Sequence, residues 1–146
     1  MATNAQGVFD LTMALMDEVN ETGATDTADT REYKNRTLHI LNVLQGELYP
    51  YSDRFTAAEE LGRRSIAVPI VTFTADIESL DDYICQSVLP YGLAAHLLMD
   101  ENPSAAAFFQ SRYEELRMML SRGLLSVSED IVDVYGGIEH GEYSYW

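Results

Sequence analysis

His96 and Asp100 stand four residues apart in a stretch of helical periodicity, with Glu101 beside them, so an imidazole and a carboxylate share one helix face where they could hold a metal ion. Two ligands do not make a site, and spacing alone brings neither His39 nor His140 to it. The plainer expectation is a hydrogen-bonded packing histidine. Cys85 could act as a nucleophile if a base stood within hydrogen-bond reach. His96 follows it on nearly the same face, but at 1.5 Å per residue the two are about 16 Å apart along a straight helix. A buried, inert thiol is expected instead. Asp76, Glu78, Asp81 and Asp82 resemble a carboxylate cluster for acid–base work. Just ahead of a helix, they are better explained by its positive N-terminal dipole, with Ser79 or Asp81 as the cap. The sequence has no Gly-rich phosphate loop, nucleophile elbow, Cys-x-x-Cys pair or calcium loop. The expectation is therefore a protein without catalysis, metal or cofactor.

The elements that would position these residues are helical. The central one runs from about Leu80 to Met99, where Ile84, Val88, Tyr91, Ala95 and Leu98 form one apolar stripe and Leu80, Leu89, Leu93 and Leu97 a second. A helix apolar on most of its circumference belongs in the middle of a domain. Pro90 removes a backbone donor and predicts a kink or break near Ser87 to Leu89, and Gly92 admits a close neighbour. Ahead of it, Val8, Leu11, Leu15 and Val19 mark an amphipathic helix over Val8 to Val19, followed by a polar connection from Asn20 to Thr30. Asp29 and Glu32 have the spacing of a capping box, opening a helix with Tyr33, Thr37, Ile40, Leu41, Leu44 and Leu48 on one stripe. Pro50 stops it after Tyr49, and Gly46 in its last turns marks either close packing or an earlier end. In the segment Tyr51 to Thr74, the run Ile66, Val68, Ile70, Val71, Phe73 predicts a short extended segment or β arm. Asn102-Pro103 reads as a cap and first-turn proline for a last helix carrying Phe109, Tyr113, Leu116 and Leu120, with Gly123 as its stop. Two or three linking residues predict an antiparallel hairpin of the last two helices. The fold expected is mainly α, a four-helix bundle-like domain over residues 1–125, with an extended acidic and aromatic C-terminal arm over residues 126–146.

Composition narrows the partners. The chain has 146 residues, the size of one ordinary domain, and 47% of them are apolar, which argues against wholesale disorder. There are 24 acidic residues against 9 basic ones, a formal charge of -15, and Lys34 is the only lysine. Such a chain repels nucleic-acid backbones and anionic membranes, because both are bound through Lys and Arg. With Cys85 as the single cysteine no intrachain disulfide can form. The first residues lack a basic region followed by an apolar run, and the apolar stretch Ser87 to Met99 is too short to span a bilayer. A cytoplasmic protein is expected.

The run Leu89-Pro-Tyr-Gly-Leu-Ala-Ala-His-Leu-Leu-Met-Asp-Glu-Asn-Pro, then Phe108-Phe-Gln-Ser-Arg-Tyr-Glu-Glu-Leu, together with the earlier Tyr33-Lys-Asn-Arg-Thr-Leu-His-Ile-Leu-Asn-Val-Leu-Gln-Gly-Glu-Leu-Tyr-Pro, resembles the head-tail connectors, or neck adaptors, of tailed bacteriophages and prophages. The resemblance spans roughly residues 8 to 122 and rests on packing motifs. It implies a helical subunit that assembles into a ring between the portal protein and the tail-completion protein, without sequence-specific nucleic-acid binding or membrane contact. It places the protein in the cytoplasm of the bacterial host, and in the virion neck where the phage is active. Extended arms would join such subunits, since strand addition draws affinity from backbone hydrogen bonds. The candidate contact residues are Arg54, Arg63 and Arg64 in the arginine-bearing segment and Ile70 and Phe73 in the extended one. In the tail they are Tyr135, Tyr143, Tyr145 and Trp146. The acidic excess, repeated around a channel, would keep DNA from the wall. Two other readings compete with this one: an acidic DNA-mimic or inhibitor of a host nucleic-acid enzyme, and a small metal-dependent helical enzyme built on His96 and Asp100.

Overall fold

The computed structural model describes residues 3–55 and 67–125, the side chains of 123–125 excepted. The described residues form a mainly helical, bundle-like body of four α-helices: α1 (Ala5–Leu15), α2 (Arg31–Leu48), α3 (Leu89–Leu97) and α4 (Pro103–Leu125). A single 3-10 turn, Tyr49–Tyr51, follows α2, and a wide turn of π-helix, Ile84–Val88, leads into α3.

α3 is the hub. Leu89, Leu93, Ala94, Ala95 and Leu97 are buried on it, as are Ile84, Cys85 and Val88 just ahead. α1, α2 and α4 all pack on it, which is why its sequence is apolar nearly all round. Pro90 has no N–H to give to a carbonyl four residues back, and the chain meets this with the wide turn: the Leu89 amide bonds the Ile84 carbonyl, five residues back. The perturbation expected near Ser87 to Leu89 is thus a π-turn over Ile84–Val88.

α1 opens at Asn4, whose side-chain oxygen accepts the Gly7 amide at 2.8 Å. It ends four residues before the expected Val19, and the reason is a capping motif on an unusual residue. Asp17 adopts φ 60, the Asp17 amide bonds the Ala14 carbonyl, and the Glu18 amide bonds the Met13 carbonyl at 2.9 Å. This is the Schellman pattern, with aspartate in the place glycine usually takes. α2 likewise departs from its expected cap. Thr30, not Asp29, occupies the N-cap, and its hydroxyl turns back into the preceding loop to bond the Thr25 carbonyl at 2.6 Å.

α4 begins as expected, with the Asn102 side chain accepting the Ala105 amide and Pro103 in the first position. Its stop is not Gly123; the helix continues through that residue to Leu125. Leu98–Asn102 link α3 to α4, a longer connection than expected, and the two helices pack along each other through Ala94, Ala95, Leu98, Ala106 and Phe109. Gly92 is the point of closest approach: a Cβ there would lie 2.9 Å from Tyr113 Cδ2 and 3.1 Å from Leu44 Cδ1. Gly46, by contrast, faces open space within a continuous helix, so neither reading of it holds.

No strand forms among the described residues. An isolated antiparallel bridge joins Asn4 to Asp76, and the Ile77 amide bonds the Thr3 carbonyl at 2.8 Å. The tail and its boundary at residue 126 lie outside the described residues.

Candidate interaction surface

The extended segment expected at Ile66 to Phe73 is described from residue 67, and side chains stand in for a neighbouring strand. Asn42 on α2 accepts the Ile70 amide at 2.8 Å and donates to the Ile70 carbonyl at 2.9 Å. Gln45, one turn on, donates to the Val68 carbonyl at 2.8 Å, while the Val68 amide bonds Ser79 Oγ at 2.7 Å. Both edges of alternate residues are therefore satisfied within the subunit, as a sheet would satisfy them. Gln45 Oε1 is buried without a hydrogen-bond partner among the described residues.

This docking decides where the predicted contact residues point. Ile70 is 7% exposed and belongs to the core. Phe73 is half-buried, edge-on to Phe9 at 6.3 Å, with Lys34 Nζ 4.9 Å from its ring centre. Outward positions fall to Val68 and Val71 instead. Arg54 is exposed, but its guanidinium donates to the Ile77 carbonyl at 3.0 Å and tethers the turn after α2 to the segment before α3. Arg63, Arg64, Tyr135, Tyr143, Tyr145 and Trp146 lie outside the described residues.

Of the residues that could do chemistry, Cys85, Asp81, Asp82 and Glu101 are used structurally. Cys85 is fully buried, and burial, followed by the Asp81 and Asp82 charges, pushes its thiol up to about 12, so it is not a thiolate near neutrality. Of the two expected caps, Asp81 serves: its carboxylate accepts the Ile84 amide and the Ser52 hydroxyl. Asp82 accepts both the amide and the hydroxyl of Thr3 at 3.0 Å. Glu101 accepts the Tyr33 hydroxyl, and burial together with that bond pushes this phenol up to about 12. Among the described residues no three His, Cys, Asp or Glu side chains converge as metal ligands, the His96–Asp100 pair included.

Two outward features stand out among the described residues. A groove of about 510 Å³ lies between α1, the wide turn, α3 and α4, lined by Leu11, Leu15, Tyr83, Tyr91, Arg112 and Leu116 among others. Arg112 lies 6.0 Å from the Tyr91 ring and bonds Glu115 at 3.0 Å, which raises the guanidinium pKa further. The second feature is the outer face of α4, where Phe108, Met118 and Met119 are each more than half exposed. Neither was read from the sequence. The available signal was that Phe108, Met118 and Met119 fall off the Phe109, Tyr113, Leu116 stripe, and large apolar residues off the core stripe mark contact surface. No helix of the described residues is long and apolar enough to cross a membrane.

Comparison with known proteins assigns no family: no family model, no curated protein and no solved structure matches the chain.

Proposed function

We propose that this protein is a structural head-tail connector of a tailed phage or prophage, a non-catalytic subunit that assembles into a ring between the portal and the tail-completion protein in the bacterial cytoplasm. One observation carries the reading. The three runs on which the resemblance rests fall on α2, α3 and α4, and their residues interlock: Gly92 of the second run receives Tyr113 of the third and Leu44 of the first. Tyr113 then bonds Glu47 of the first run at 2.7 Å. A connector requires such a rigid body, with apolar surface left over for its neighbours. The α1–α3–α4 groove supplies that surface.

The test is genetic and structural. Deleting the gene from an inducible lysogen should leave DNA-filled heads and free tails that fail to join, seen by negative-stain electron microscopy. The purified chain added back should restore joining. Normal tailed particles from the deletion strain would reject the reading. Capture of a nucleic-acid enzyme by the purified chain, with particle assembly unaffected, would favour the inhibitor instead.

A further inference from the structure

We propose that the outer face of α4 is a self-association surface on which a second copy of this chain packs antiparallel, about a two-fold axis at Met118. The inner stripe of the helix, Ala106, Phe109, Tyr113 and Leu116, is buried against the body. The opposite stripe, Ala107, Ser111, Glu114, Met118 and Arg122, is exposed along its whole length. The segment from Ser111 to Arg122 forms a shallow depression lined by Glu114, Glu115, Met118 and Met119. Met118 and Met119 are 55% and 53% exposed, an apolar patch that water does not favour and that flexible thioethers fit to many partners.

The order of charges along this face selects the partner. Arg122 lies four residues after Met118 and Glu114 four before it, about 6 Å to either side at 1.5 Å per residue. An antiparallel copy centred on Met118 therefore sets Arg122 level with the partner's acidic pair at positions 114 and 115, and the reverse, so each opposite-charge contact is made twice. Met118 meets its own symmetry mate at the centre. A parallel copy would set arginine against arginine. In a chain of charge -15, this face carries Glu114 and Glu115 against Arg122, close to balance, so two copies meet there with little of the chain's acidic repulsion. A two-fold contact closes at two copies, whereas a ring requires head-to-tail contacts. The inference thus does not rest on the connector reading, and it leaves the α1–α3–α4 groove free for other neighbours.

The experiment uses the full chain. In sedimentation equilibrium the wild type should show a concentration-dependent monomer–dimer distribution. Arg122→Glu should weaken dimerisation at least tenfold, as should Glu114→Arg combined with Glu115→Arg. An equimolar mixture of these two variants, each monomeric alone and each with unchanged helical circular dichroism, should form heterodimers. Met118→Cys should cross-link under mild oxidation many-fold faster than Val43→Cys, a comparably exposed position on α2. A wild type that stays monomeric to hundreds of micromolar would overturn the proposal, as would a mixture that fails to pair. So would a monomeric Met118→Cys variant whose introduced thiol is shielded from a maleimide, because another segment would then cover the face.

Discussion

Replacing Gly92 by alanine adds one methyl group where the bundle has no room for it. The new carbon would sit 2.9 and 3.0 Å from two atoms of the Tyr113 ring and 3.1 Å from Leu44 Cδ1, against a preferred carbon–carbon separation of about 3.5–4.0 Å. The ring cannot swing away freely, because its hydroxyl is fixed to Glu47 at 2.7 Å. Alanine gains about 1 kcal/mol over glycine as a helix former. Overpacking costs about 1–3 kcal/mol, and here the crowding comes from two helices at once. The net expectation is a loss of up to about 2 kcal/mol. Gly46→Ala makes the same chemical change on α2 with nothing within 4 Å of the added carbon, so it should stabilise by up to about 1 kcal/mol. Urea unfolding followed by helical circular dichroism measures both, and at about 2–4 °C per kcal/mol for a chain near this size the two variants should differ by several degrees in Tm. Equal stabilisation by both substitutions would refute the claim that α2, α3 and α4 lock at Gly92.

Asp17→Gly should stabilise by up to about 1 kcal/mol, because φ 60 is strained for aspartate and free for glycine, and an acidic charge leaves the C-terminal end of α1; a lowered Tm would contradict the Schellman assignment. Asn42→Ala leaves the Ile70 amide and carbonyl without their partner, at about 1–3 kcal/mol, and amide exchange should speed up at Ile70 before it does in α3. The Cys85 thiol should resist alkylation in the folded protein at neutral pH and react at the rate of unfolding. The same group gives a pH dependence: its folded pKa of about 12 lies above the ordinary thiol value of 9.0, so its contribution is complete below pH 9 and is lost as pH rises toward 12. Cys85→Ala should flatten the fall in stability across that alkaline window.

The helices were legible because their burial leaves a period in the sequence. α3 is enclosed by three partners, and Leu80 to Leu98 carries apolar residues all round; the Asn102-Pro103 start of α4 is written in two residues. What escaped reading were places where a residue does something its type seldom does. Asp17 takes the left-handed conformation usually left to glycine, so α1 ends four residues before the Val19 that its stripe suggested. Gly123 lies inside α4, and Gly46 lies inside a helix that the burial of Leu44 and Leu48 holds continuous against propensity. The residues from Val68 to Phe73 read as a strand from their types, but Ile70 and Phe73 turn inward three residues apart while Val68 and Val71 face outward, and the hydrogen-bond partners of Val68 and Ile70 are the Asn42, Gln45 and Ser79 side chains, which no strand pattern announces. The surface was the least legible part. Phe108, Met118 and Met119 differ from core residues only in angular position, and a rotation of about 100° per residue along α4 separates the two roles.

The π-turn at Ile84–Val88 sets the phase of everything after it. It contains one residue more than an α-turn spanning the same height, so deleting a single position there, Gln86 for instance, would give a more regular helix and rotate each later side chain by about 100°. Leu89, Leu93 and Leu97 would leave their partners together, and Gly92 would no longer face Tyr113. The irregular turn thus acts as the angular offset that keeps the two halves of the hub in step, and the shorter, straighter variant is the one that should fail to fold.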